Sequence, residues 1–552
     1  MTPPTKSIGS IITSHSILLT RCSTKLKGNM MRQCTRPCRP SHIAGISALD
    51  IATTNTTIKC SGILNLSGTR GIVPIYRRQC HREIRGRRGY AVQTGFGQPT
   101  FETRPHMLKE GELTPGISAV EYHFRRHKLI EQLPVGAAAI LIGNEIKYRS
   151  GAVFYEFHQN PDFFYLSGFN EPRAVMVIEK SFENNYTFHL YVQPKDERKE
   201  LWEGPRTGVD DALELFNADE AGDIKFIRKY LDDIIARAKS IYMDTAPANS
   251  EIASFFHPHV RRGTMEVNIL ELIKYHKKET TMRPLTGIVQ SLRAVKSEAE
   301  LKVMQKAGKI SGRAITRAYG RRFTKEADLN AYLDYAFRIG GCEKSAYVPV
   351  VAGGKNALGI HYTRNDDVLN DGEMVLIDAG GQYGGYCADI SRAWPVNGKF
   401  TEPQKDLYDA VLNVQKECIK LATTSSSLES IHRSSVELFA VELRNIGFDT
   451  SLSEINSILY PHYVGHHLGL DVHDCPDRPR RQNLKNGNVI TIEPGIYVPV
   501  DNPKFPKHFR GIGIRIEDNV YIHDDSPIVT SGEAAKEIKD IEHACAAAWE
   551  DI

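Results

Sequence analysis

Two apolar segments, each carrying an aspartate, constrain this chain more than any other feature. Val375-Leu376-Ile377-Asp378-Ala379 and Cys387-Ala388-Asp389-Ile390-Ser391 flank a glycine-rich stretch. Such a pair reads as an antiparallel hairpin, whose side chains alternate between two faces. With the turn centred on Tyr383-Gly384, Asp378 and Asp389 stand directly opposite each other on one face. Two carboxylates opposed among apolar side chains repel and are poorly solvated unless a cation compensates them. Taken alone, the pair fits a solvated turn face at least as well as a metal site.

Further acids at strand edges weaken coincidence as an explanation. Val489-Ile490-Thr491-Ile492-Glu493 is an apolar strand ending in a carboxylate, and in Ile512-Gly513-Ile514-Arg515-Ile516-Glu517 a period of two puts Arg515 and Glu517 on one face. Between these acid-edged strands and the hairpin lies a histidine-rich segment, His462-Tyr463-Val464-Gly465-His466-His467-Leu468-Gly469-Leu470-Asp471-Val472-His473. It lacks the glutamate of an H-E-x-x-H zinc helix, so a simple zinc protease is not indicated.

These segments, in this order, resemble the aminopeptidase P branch of the creatinase/methionine aminopeptidase superfamily, and within it the mitochondrial intermediate-cleaving members. The motifs are Leu376-Ile377-Asp378-Ala379-Gly380-Gly381, Ala388-Asp389-Ile390-Ser391-Arg392, Gly465-His466-His467 through Asp474, Thr491-Ile492-Glu493-Pro494-Gly495 and Ile514-Arg515-Ile516-Glu517-Asp518, and the likeness covers roughly residues 105–540. It implies five metal ligands, Asp378, Asp389, His466, Glu493 and Glu517, with Asp389 and Glu517 bridging two ions. It also implies active-site histidines at His361, His462 and His473, and a carboxylate-steadying role for Arg515. An oxygen-rich set with one imidazole suits harder divalent ions; the resemblance favours Mn²⁺, and Co²⁺, Zn²⁺ and Fe²⁺ stay compatible. Glu493 is expected to shuttle the proton from activated water to the leaving nitrogen, His473 to donate to the oxyanion, and His361 and His462 to orient substrate.

The implied function is release of a single N-terminal residue from Xaa-Pro peptides and from mitochondrial proteins whose presequence has been removed. A prolidase-like dipeptidase and a non-catalytic peptide- or protein-binding module are the competing readings. By the same resemblance the chain is expected to form a homodimer, to act on peptide and protein N-termini and to bind no nucleic acid.

Charge distribution supplies an address. The formal charge of +4 over 552 residues hides an N-terminal segment, residues 1–95, with 15 Lys or Arg against only Asp50 and Glu83; the remainder is net acidic. An Arg-, Ser- and Thr-rich segment almost without acids reads as a mitochondrial presequence, residues 1–90, directing the protein to the matrix or the matrix-facing inner membrane. Its end, Arg85-Gly86-Arg87-Arg88-Gly89-Tyr90-Ala91, suits a cut after Gly89 followed by removal of Tyr90. Five of ten cysteines lie in this leader and the rest are scattered, which is no disulfide framework and points to a reducing compartment. No run of 18 uncharged apolar residues suggests a membrane span.

Behind the leader an α+β organisation is expected: a mixed α/β domain over 105–280 and a catalytic domain of pita-bread type over 286–540. Expected strands are Ala137–Gly143, Val153–His158, Phe163–Ser167, Ala174–Ile178 and Phe188–Val192. Expected helices are Ser118–Gln132, Glu220–Lys239, Glu266–Lys278, Lys296–Tyr319, Thr324–Ile339 and Pro403–Thr423.

Overall fold

The computed structural model of the protein describes residues 97–244, 265–276 and 282–547. The basic leader and its Tyr90-Ala91 junction lie outside them. In the described part, the uncharged run Ala137–Ile142 (β1) organises everything around it. Its alternation divides it between two cores: Ala137, Ala139 and Leu141 pack with Tyr122, Phe163 and Met176, whereas Ala138 and Ile140 pack with Leu231, Ile234 and Ile235. Layers on both faces of a strand bury it wholly when it is also paired on both edges. It pairs antiparallel with Val175–Phe182 (β2), which pairs with Asn185–Val192 (β3) and, through it, with Glu220–Asp223 (β4). On its other side run Ser240–Tyr242 (β5) and Met282–Arg283 (β6), both parallel, completing a six-stranded mixed sheet ordered β6-β5-β1-β2-β3-β4. Helices Ala119–Glu131 (α1) and Pro161–Ser167 (α2) cover one face, and Ile227–Arg237 (α3) with Met265–His276 (α4) the other.

Three local expectations are corrected here. Phe163–Ser167 is a helix, because Asn160 accepts from the Phe163 N–H, Pro161 fills the first turn and Gly168 closes the end at φ 70°. Strand Val153–His158 shrinks to Val153–Phe154. The helix placed at Glu220–Lys239 begins as strand β4 and becomes α-helical only from Ile227.

Thr286–Arg293 (α5) leads into the second half. Glu298–Tyr319 (α6) starts from a reciprocal cap, with Ser297 Oγ accepting from the Glu300 N–H and Glu300 accepting from the Ser297 N–H. Glu326–Ile339 (α7), Glu402–Leu421 (α8) and Leu428–Asn445 (α9) follow; α9 was not anticipated. These helices pack on short strands. Val350–Gly353 (β7) pairs with Met374–Asp378 (β8); Gly381–Tyr383 (β9) and Tyr386–Cys387 (β10) form a hairpin; Ser391–Pro395 (β11) pairs back onto β8. Val489–Ile492 (β12) pairs with a strand beginning at Asp518, and between them Gly495–Tyr497 (β13) pairs with Gly513–Arg515 (β14). The architecture is α+β.

The hairpin register differs from the expected one. Tyr383 faces Tyr386 and Asp378 faces Ser391, so the turn is Gly384-Gly385. Both glycines have positive φ, 58° and 84°, as a two-residue type I′ turn requires. A Cβ at either would also stand under 3 Å from Pro115 O or the Phe164 ring. Moving the centre by one residue shifts the partner by two. Asp389 therefore keeps its face but lies diagonal to Asp378.

Candidate metal centre

Each acid stands where an apolar strand gives out. Asp378 ends β8, Glu493 follows β12, and Glu517 lies between β14 and the strand beginning at Asp518. The backbone of Asp389 is gripped by Asn519, whose Oδ1 accepts its N–H at 3.2 Å and whose Nδ2 donates to its carbonyl. Glu517 donates its N–H to Ser391 O at 3.0 Å and accepts from Ser391 Oγ at 2.7 Å.

His466 is held against β12: Thr491 Oγ1 accepts its N–H, and Thr491 N–H donates to its carbonyl. Its Nδ1 donates to His467 O at 3.0 Å, which leaves Nε2 facing Asp389 Oδ2 at 3.4 Å and Glu493 Oε1 at 3.5 Å. Burial works against a proton there, but Asp389 and Glu493 outweigh it and raise the imidazole to about 9. Ligand atoms of Asp389, His466 and Glu517 all fall within 4.8 Å of one another.

Four carboxylates thus converge around His466 and the permanently charged Arg515. Arg515 donates through Nη2 to Asp378 Oδ2 at 2.8 Å, through Nε to Ser391 Oγ at 2.8 Å and through Nη1 to Tyr497 Oη at 2.7 Å. The charge remains unbalanced. Burial and Asp389 push Asp378 up to about 7, burial pushes Glu493 up, and burial with Asp389, Glu493 and Asp378 pushes Glu517 well above the carboxylate range. The Tyr347 hydroxyl lies 2.5 Å from both Asp378 Oδ1 and Asp389 Oδ1, yet a phenol has one proton and can serve only one of them at a time. A donor set of four carboxylates and one imidazole nitrogen fits hard or borderline divalent cations.

Histidines ring this centre. His462 donates from Nδ1 to Tyr463 O and accepts at Nε2 from Tyr497 Oη, both at 2.9 Å; burial and then Arg515 depress it to about 3, so it is neutral. His473 is exposed, with its ring edge-on to His466 at 4.5 Å between centroids. His361 is also exposed and near enough for its charge to bear on both His462 and His473.

Sequence reasoning assigned no part to Tyr347, Ser391, Tyr497 or Thr491. For Tyr497 a signal existed: counting by twos from Glu493 through Gly495 reaches it. Tyr347 meets the aspartates only through space, and no spacing announces that.

Comparison with known proteins agrees with this geometry. Residues 302–524 match the description Metallopeptidase family M24, and residues 122–242 match Aminopeptidase P, N-terminal domain. Intermediate cleaving peptidase 55 of Saccharomyces cerevisiae is 50% identical over 454 residues, covering 81% of this chain and 88% of that protein. Human Xaa-Pro aminopeptidase 3 is 38% identical (82% and 91% covered), and the Arabidopsis thaliana protein named Intermediate cleaving peptidase 55, mitochondrial, is 36% identical (85% and 92% covered). The crystal structure of the Saccharomyces cerevisiae protein superposes with a TM-score of 0.72 at 47% identity, covering 80% of this chain and all of that one.

Proposed function

Since the chain belongs to the aminopeptidase P family of M24 metallopeptidases and is a metallo-exopeptidase, we propose that it is a two-metal aminopeptidase releasing one residue from Xaa-Pro peptides and from presequence-processed mitochondrial proteins. The observation that carries this reading is the buried excess of carboxylate over cation around Asp378, Asp389, Glu493 and Glu517.

Asp378, Asp389, His466, Glu493 and Glu517 would hold two divalent ions, read as Mn²⁺. When bound, these ions supply an activated water and positive charge for the developing oxyanion. The protein's own groups then carry out the remaining steps. Glu493, whose proton affinity is raised by burial, takes a proton from the water and passes it to the leaving nitrogen. His473, exposed beside His466, donates to the carbonyl oxygen as it gains charge. His462 is fixed as the neutral Nδ1–H tautomer by Tyr463 O and Tyr497, and with His361 it orients the substrate. Arg515 holds Asp378 in place and favours its ionised form against burial and Asp389.

The protein is mitochondrial, the location that the name of its Arabidopsis thaliana relative carries. The basic segment 1–90 is read as its address. Among the described residues no helix is long and apolar enough to cross a membrane. Self-association as a dimer is part of this reading, and sedimentation at micromolar concentration tests it.

The deciding experiment incubates the mature protein with Xaa-Pro-containing peptides of increasing length, before and after chelation. Release of the first residue alone, abolished by chelation and restored by Mn²⁺, supports the reading. Cleavage confined to dipeptides would make the protein a prolidase instead.

A further inference from the structure

The segment that carries His473 is steered from outside the metal centre. Arg293, the last residue of α5, is almost wholly buried and reaches three carboxylates. Nη1 donates to Asp162 Oδ1 at 2.6 Å, Nη2 to Asp471 Oδ2 at 2.7 Å, and Nη2 also to Asp474 Oδ1. Lys296 Nζ donates to the other Asp474 oxygen at 2.9 Å. Asp162 belongs to α2, beside the six-stranded sheet; Asp471 and Asp474 bracket His473.

The loop is built so that its two ends are held by different things. At one end, β12 fixes His466 through Thr491. At the other, the tip closes on itself, with Asp474 N–H donating to His467 O and Gly469 N–H to Asp471 O, and it leans on the hairpin where Cys387 N–H donates to Gly469 O at 2.9 Å. Arg293 and Lys296 tie residues 471–474 further, through the Asp471 and Asp474 side chains. A buried network of this kind often contributes little net stability relative to an apolar replacement. A planar fork of directed donors reaches carboxylates that lie apart, which a compact ammonium at one point does less well.

We propose that Arg293 is a positioning residue for the hydrolysis: through Asp471 and Asp474 it sets His473, and through Asp162 it makes the first domain part of that setting. The ligand His466, anchored separately, is left alone. This inference rests on the reading of the metal centre given above.

The test uses the mature, Mn²⁺-loaded protein and an Xaa-Pro peptide. Steady-state rates and metal per chain are measured for wild type, Arg293→Lys and Asp162→Asn, and for the same two substitutions in a His473→Ala background. Arg293→Lys keeps the charge but loses the fork; Asp162→Asn is isosteric and touches neither the loop backbone nor any ligand. Both retain their metal and a KM within about twofold, while kcat falls about tenfold for Arg293→Lys and about threefold for Asp162→Asn. In the His473→Ala background those losses shrink to less than about twofold, because the residue being positioned is gone. Equal losses in both backgrounds, no loss at full metal occupancy, or a loss that follows metal content overturns the inference. If Arg293→Lys does not fold, the Asp162→Asn cycle decides. Absence of metal-dependent turnover in wild type would instead strike the reading of the centre.

Discussion

Arg515 and Asp378 meet at 2.8 Å with the guanidinium 1% exposed, a permanent charge compensation inside a nest of acids. Breaking a buried pair by deleting one partner leaves the other charge stranded. Arg515→Met is expected to lower the unfolding free energy of the metal-free protein by about 3–5 kcal/mol. Urea titrations of wild type and variant measure it; coincident midpoints would mean that Asp378 does not depend on its partner.

Glu493→Gln and His473→Ala separate two roles. The first removes both a ligand and the proton carrier, and turnover disappears while the far-ultraviolet spectrum of the fold persists. The second removes a group that lines the centre without belonging to it. It should retain most metal and lose about 2–4 kcal/mol of transition-state stabilisation, read from kcat/KM. Equal metal loss in the two variants would contradict the division.

Acid weakens the first domain through an identifiable bridge. Glu179 on β2 accepts from Arg237 Nε and Nη2, both at 2.6 Å. Burial opposes its ionisation, but Arg237 and His189 overcome this and lower the carboxyl from 4.5 to about 2. A depressed acid contributes stability that is complete above its ordinary 4.5 and is lost as the pH falls through the folded value. Glu179→Gln should therefore be less stable than wild type by a constant margin above that range, and the margin should close toward about pH 2. A margin that does not change with pH would remove the bridge from the account.

Maturation offers a test inside the organelle. Protein recovered from mitochondria should begin at Ala91, whereas Glu493→Gln expressed without active enzyme should begin at Tyr90. N-terminal sequencing decides. An Ala91 start in the inactive variant assigns the last trim to another peptidase, and a Met1 start defeats the leader.

The acids were legible because each interrupts an apolar run, and a charge at the end of a buried strand has few places to go. Asp378, Glu493 and Glu517 stood out by that logic, and the family resemblance named them as ligands. The relation of Asp378 to Asp389 was harder: the correct face followed from alternation, but the register depended on which glycines took positive φ, and Gly384-Gly385 was not distinguished from Tyr383-Gly384. Phe163–Ser167 shows the limit of short apolar runs, which carry no period of their own; Asn160-Pro161 and Gly168 were the better guides. Arg293 could not be found at all, since its partners Asp162, Asp471 and Asp474 are distant in the chain and charged residues ordinarily lie on surfaces.

The placement of the five donors at separate strand ends also governs when the protein can first act. A chain threaded into an organelle arrives N-terminus first. Asp378 and Asp389 precede Glu517 by most of the catalytic half, and Ser391, which spans Glu517 and Arg515, finds neither until β14 has arrived. Long-range closure of this kind comes late in folding. The two-metal centre proposed above would therefore assemble only once nearly the whole chain is inside, and removal of Tyr90 from any copy would follow import rather than accompany it.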